Sequence, residues 1–162
     1  VYPDRAPYAL DVATGTGRLP IAMLRHAQFE GPLFAVDASL PMLRIAAEHL
    51  RDQAGVMLLH ADAERLPFAD DAFDVVTCLE ALEFMMHPPH VLAELVRVLR
   101  PGGWLLITHR RTARWMPGKV PSPDALREQL AALGLTRVRF DAWQVDYDRV
   151  WAHKPAAPAP ER

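Results

Sequence analysis

The sequence predicts a doubly wound α/β domain on a mostly parallel, seven-stranded sheet with an antiparallel C-terminal strand and helices on both faces. Three observations lead there. Short apolar runs alternate with segments of helical period. The early runs are continuous rather than alternating, as in strands buried on both faces. The last two runs follow one another with no helix between them, so they should pair antiparallel.

Tyr8 to Ala13 is the first strand and stops at Thr14-Gly15-Thr16-Gly17. Leu33 to Val36 is the second, ending at Asp37, and Gly55 to His60 the third. Phe73 to Leu79 is the fourth; Trp104 to Thr108 is the fifth, introduced by the turn Pro101-Gly102-Gly103. Helical spacing joins Met42, Leu43, Ala46, Ala47 and Leu50, then Val91, Leu92, Leu95, Val96 and Leu99, then Leu126, Leu130 and Leu133. Ser39 and Asp124 are the expected helix starts and Gly134 a stop. Leu135 to Tyr147 and Val150 to His153 read as the last two strands, with Asp146 and Asp148 as turn candidates. Residues 1–153 make one domain, and 154–162 (KPAAPAPER) read as a disordered tail.

Composition bounds the function. At 162 residues the chain can bury roughly 70% of its unfolded surface. Eighteen basic against twenty acidic residues leave a formal charge of −2, and the short cluster Arg110, Arg111 and Arg114 is no basic stripe, so no nucleic-acid partner is expected. No run is long enough for a membrane span. Cys78 is the single cysteine and cannot form an internal disulfide, which fits a cytoplasmic location. Cys78 and Asp74 read as structural. No metal ligand set is expected.

Two features carry chemistry. In Leu10-Asp11-Val12-Ala13-Thr14-Gly15-Thr16-Gly17, glycines allow a tight turn and close approach of a ligand, while the next helix aims free amides at the same space. The plainer reading is a strand-to-helix turn. Asp37 ends strand two, twenty positions past Gly17, where a carboxylate can accept both hydroxyls of a ribose. Its plainer reading is a helix cap before Ser39-Leu40-Pro41. Both features suit any adenosine cofactor. An NAD-dependent oxidoreductase is a minor alternative, because the dinucleotide fingerprint wants a third glycine where Pro20 stands.

With LDVATGTG (10–17), FAVDASLPML (34–43), HADAERLPFADDAFDVVTCLEALEF (60–84) and ELVRVLRPGGWLLIT (94–108) in order, the chain resembles the class I S-adenosylmethionine-dependent methyltransferases. The middle blocks are similar to the small-molecule methyltransferases of quinone biosynthesis. The resemblance implies a Rossmann-like fold, S-adenosylmethionine as cofactor and a small-molecule acceptor. It implies that Gly15 and Gly17 face the methionine end through backbone atoms and that Asp11 helps hold its amino group. Asp37 would bind the ribose; Ala38 and Met42 would line the adenine pocket; Asp62 with the amide of Ala63 would bond the adenine edge. Leu79 would offer its carbonyl to the amino group. Ala13 departs from the family's commoner glycine. In relatives an N-terminal helical segment covers the cofactor; here strand one follows Val1 almost at once, so that cap is expected to be missing.

Methyl transfer needs no dedicated acid or base, because the protein mainly aligns the nucleophile. Candidate bases are Glu80, Glu83 and His87 beyond strand four and His109 beyond strand five. The segment Arg110 to Pro123, with Trp115 and Met116, is expected to shape the acceptor pocket. A non-catalytic S-adenosylmethionine-binding or partner-binding module remains the alternative. Oligomeric state is not legible.

Overall fold

The computed structural model describes residues 7–25, 29–112 and 120–156. In chain order the elements are β1 (Ala9–Val12), α1 (Arg18–Arg25), β2 (Leu33–Asp37), α2 (Leu40–Leu50), β3 (Val56–His60), β4 (Phe73–Cys78), a 3₁₀ turn (Leu82–Phe84), α3 (Pro88–Val98), β5 (Leu99–Arg110), α4 (Pro123–Ala132), β6 (Thr136–Ala142) and β7 (Tyr147–His153). The seven strands form one sheet in the order β3-β2-β1-β4-β5-β7-β6. β1 pairs in parallel with β2 and β4, β2 with β3, and β4 with β5. β7 runs antiparallel to both β5 and β6. The strand order reverses between β1 and β4, which is where ligands bind in open α/β sheets.

The central strands are apolar because both faces are covered. All four residues of β1 are buried, and Leu10, Val12, Phe73, Val76, Leu95, Leu105, Ile107 and Val150 belong to one core. Cys78 lies in that core, where burial pushes its thiol far above the ordinary range. Asp74 is architectural: its carboxylate accepts the Tyr8 amide at 2.7 Å and pairs with Arg100 at 2.5 Å.

No helix links β3 to β4. Residues 61–72 form a loop instead, tied down by α3. Arg97 donates to the carbonyls of Phe68 and Leu66 and to Asp70, while Glu94 accepts the Leu66 amide. Phe68 seals the loop by edge-on contacts with Phe34 and Phe73.

Helix ends follow local chemistry. Ser39 caps α2, its hydroxyl accepting the Met42 amide. α4 starts from Ser122, not Asp124: the Ser122 hydroxyl accepts the Ala125 amide, and Asp124 falls in the first turn. Gly134 stops α4 with φ +82°, and the Gly134 and Leu135 amides return to Ala131 and Leu130, a Schellman closure.

Other boundaries also differ from expectation: β5 runs from Leu99 to Arg110, so His109 lies inside it and not beyond it. Pro101-Gly102-Gly103 lies inside β5 as a bulge: Phe73 pairs with Leu99 and Val75 with Trp104, so extra residues loop out opposite one residue of β4. β6 ends at Ala142 and β7 begins at Tyr147, so Trp143 to Asp146 are the link; only Asp146 of the two turn candidates lies in it. The apparent alternation of Trp143 and Val145 is no strand face, since Val145 is 90% exposed. Lys154 is ordered rather than part of a tail, its ammonium donating to Asp71 and to the carbonyls of Val96 and Leu99 at the end of α3. Residues 157–162, the N-terminal residues 1–6, and Arg114, Trp115 and Met116 lie outside the described residues. Among the described residues, no helix is long and apolar enough to cross a membrane.

Candidate functional site

The carboxyl ends of β1, β2 and β4 converge on two adjoining cavities. One, about 440 Å³, lies over the glycine-rich turn and is lined by Asp11, Gly15, Arg18, Met42 and Leu79. The other, about 380 Å³, lies over the ends of β2 and β3 and is lined by Asp37, Ala38, Asp62, Ala63 and Phe84. Ala13 and Glu80 form the wall shared by both. These two shared residues are also strained, with φ +59° and +52°. An L-residue held in the left-handed region costs about 1–2 kcal/mol, and such cost concentrates where a backbone must serve a ligand.

The two glycines do different work. A Cβ on Gly15 would meet nothing within 4 Å, so that backbone opens onto the cavity. A Cβ on Gly17 would stand 3.0 Å from Leu50 and 3.3 Å from Ala46. Gly17 therefore lets α1 pack against α2 and does not line the cavity. Met42 also departs from expectation: it lines the glycine-turn cavity rather than the one with Ala38.

Asp37 organises the turn. One carboxylate oxygen accepts the Gly15 amide at 2.8 Å and the other the Ser39 amide at 2.8 Å. Each retains a lone pair for a further donor. Asp11 is 3% exposed at the switch point, and its carboxylate accepts the Thr77 hydroxyl across the strands at 2.7 Å. Burial raises its carboxyl to about 6, opposed by the Thr77 hydrogen bond and the nearby Thr14 hydroxyl and assisted by repulsion from Asp37. Asp62 is exposed and folds its own loop by accepting the Glu64 amide at 2.9 Å.

A third cavity, about 290 Å³, sits beyond β4 and β5 and is lined by Leu82, Glu83, Met86, Pro88, Leu92 and His109, among others. His109 is buried, and its Nε2 lies 2.9 Å from the Pro121 carbonyl. A carbonyl only accepts, so Nε2 carries the proton and Nδ1 keeps its lone pair. Nδ1 has no hydrogen-bond partner among the described residues. Glu83 is buried and committed: it accepts the Tyr147 hydroxyl at 2.5 Å, with the Arg110 guanidinium 3.6 Å away. Burial and the charge of Glu83 hold the Tyr147 phenol well above its usual range. Glu80 is exposed between the first two cavities, its amide donating to Thr108 and its carboxylate accepting Gln144. His87 turns to Glu64 at the head of α3 and lines none of the three cavities.

Trp143 and Gln144, from the β6–β7 link, reach over the glycine-turn cavity. Sequence reasoning placed them in a strand. Their sequence signal was the break in apolar character at Gln144, which the flanking Trp143 and Val145 masked.

Residues 10–107 match the family described as the methyltransferase domain. The chain is 33% identical, over 81% of its length, to the ubiquinone/menaquinone biosynthesis C-methyltransferase UbiE of Bordetella avium, covering 64% of that protein. It is 41% identical to the corresponding protein of Paraburkholderia phymatum, over 60% of this chain and 41% of that one. The chain thus spans less than two thirds of these relatives. Among solved structures it is similar to an S-adenosylmethionine-dependent methyltransferase from Aquifex aeolicus (TM-score 0.77, 24% identity, 91% of this chain and 82% of that one). It is also similar to the [4+2]-cyclase SpnF (TM-score 0.81, 23% identity, 95% and 77%). These structural likenesses establish the fold, and that a cyclase shares it shows that fold alone does not select the reaction. The family match over most of the ordered sheet does what the fold cannot: the chain belongs to the methyltransferase-domain family, within the class I S-adenosylmethionine-dependent methyltransferases.

Proposed function

We propose that this chain binds S-adenosylmethionine across the first two cavities and transfers its methyl group to a small-molecule acceptor in the third. The observation that carries the reading is the shape of the edge. The glycine-turn cavity and the Asp37 cavity share one wall, and every expected cofactor position except Gly17 lines one or the other. The donor set fits the group. Asp37 offers acceptors to the two hydroxyls of a ribose, the open face of Gly15 admits a chain against the backbone, and Asp11 offers a buried carboxylate to an ammonium.

When bound, S-adenosylmethionine supplies a methyl group activated by its positive sulfur. The remaining work is positional. Asp11 holds the amino group with the Leu79 carbonyl, and an ammonium beside Asp11 favours its ionised form. Asp37 fixes the ribose, with Ala38, Asp62 and Ala63 around the base. Trp143 and Gln144 cover the methionine side and exclude water. An acceptor in the third cavity must present its nucleophile in line, ~3–3.5 Å from the methyl carbon. Leu82, Met86, Pro88 and Leu92 favour a largely apolar acceptor, and His109, in the wall of the same cavity, is the candidate base for an acceptor hydroxyl. Hydroxylated aromatic compounds of the quinone-precursor class, suggested by the names of the relatives, are the first to test.

The test is transfer of labelled methyl from S-adenosylmethionine to a panel of such acceptors, with Asp37→Ala as control. Label in an acceptor, lost in the variant, supports the proposal. Tight cofactor binding with no transfer to any acceptor favours the non-catalytic binding module.

A further inference from the structure

Away from these cavities, Glu64, His87 and His90 bring one ligand atom each within 4.8 Å of one another. We propose that they form a binding site for a divalent transition ion of the zinc type, pinning the loop after β3 to the head of α3. The inference stands independently of the methyl-transfer reading.

One pair already stands at ligand spacing, and all three ligand atoms lie within 4.8 Å of one another. His87 Nδ1 lies 3.1 Å from Glu64 Oε2. In a tetrahedral zinc site with bonds near 2.0 Å, neighbouring ligand atoms stand about 3.3 Å apart. An ion can thus seat between those two atoms with little movement of either side chain. His87 and His90 are three positions apart across the first turn of α3, so they share a face. Their rings lie 5.3 Å apart, tilted by 34°. The intervening Pro88 and Pro89 fix the backbone between them. Glu64 is also held in place: its Oε1 accepts the His87 amide at 3.0 Å.

The donor set selects the ion. Two imidazoles and one carboxylate suit zinc, nickel or copper, whereas calcium and magnesium require shells of oxygen. Three protein ligands leave a fourth position to water. His87 and His90 are exposed, so the ion has an open route in. The sequence predicts no metal site; Glu64 stands 23 positions before His87, and the fixed loop 61–72 brings them together.

The experiment is a titration of the tag-free chain with zinc chloride, followed by calorimetry and by thermal unfolding. The expected result is one ion per chain and a midpoint that rises until one equivalent is added. Magnesium and calcium at the same concentration should leave it unchanged. His87→Gln with His90→Gln should abolish the rise, and Glu64→Gln should weaken zinc by at least about tenfold, since even groups that merely support metal ligands are worth about 10–100-fold. His87 makes no side-chain cap bond to α3, so its replacement leaves the helix start intact, which circular dichroism checks. His49→Gln with His60→Gln, on other surfaces, should keep the full response. A midpoint that zinc does not move, or moves equally in the His87/His90 variant, overturns the proposal.

Discussion

Replacing Asp11 by Asn should make the protein more stable at neutral pH and worse at holding its cofactor. Asp11 is 3% exposed, and burial raises its carboxyl from an ordinary 3.8 to about 6. At 1.36 kcal/mol per tenfold change, that difference corresponds to about 3 kcal/mol of cost for keeping the group charged in the folded state. The folded chain binds this proton more tightly than the unfolded chain does. The associated stability is therefore fully present below pH 3.8 and lost as pH rises through about 6. Asn carries no charge to desolvate, and its Oδ1 can still accept the Thr77 hydroxyl. The variant should match the wild type near pH 4 and exceed it by up to about 3 kcal/mol at pH 7 to 8. Urea unfolding at several pH values measures this, provided the slope with denaturant is unchanged. In the same variant, affinity for S-adenosylmethionine should fall, because the carboxylate proposed to face the ammonium is gone. A variant no more stable than the wild type at pH 8, or a stability gap that does not change between pH 4 and pH 8, would refute the reasoning.

Further outcomes follow from the same geometry. Gly15→Ala should lose about 1–2 kcal/mol from left-handed strain alone, while Gly17→Ala should lose about 1–3 kcal/mol more through overlap with Leu50 and Ala46; equal losses in urea unfolding would contradict the division of labour between the two. Of the pair, Gly15→Ala should retain the fold yet weaken cofactor binding, measured by calorimetry. Lys154→Met removes three hydrogen bonds at the end of α3 and should cost about 1–3 kcal/mol in the same assay. His109→Gln, tested on whichever acceptor is found, should lower kcat by about 10²–10⁴-fold with cofactor affinity unchanged; an unchanged kcat would remove His109 as the base.

The sheet was legible because its signals are local. Continuous apolar runs such as Phe73 to Cys78 mark strands buried on both faces, and Ser39 and Gly134 announce helix ends through their own backbone chemistry. The link between β6 and β7 was not legible. Trp143 and Val145 mimic strand alternation; the pairing of Ala142 with Asp148, with the Trp143 and Gln144 amides donating to the Tyr147 carbonyl, shows that they lie in a turn. The loop 61–72 has no helical period, yet Arg97 and Glu94 order it from a distance that periodicity does not encode. At the edge of the sheet, Asp37 and Gly15 stood out by spacing. Glu80 did not: a glutamate at φ +52° leaves no mark in the sequence, and its position between two cavities is visible only in three dimensions. Glu83 illustrates the converse. It reads as a free acid at a strand end, but Tyr147, 64 positions later, engages it.

The most direct test of the central claim is calorimetric titration of the chain with S-adenosylmethionine and S-adenosylhomocysteine, beside Asp37→Ala and with NAD as the control ligand. The two cavities predict micromolar binding of both compounds, lost in the variant, and no binding of NAD. Binding of NAD in their place, or binding of both compounds undiminished in Asp37→Ala, would contradict the assignment of this edge as the cofactor site.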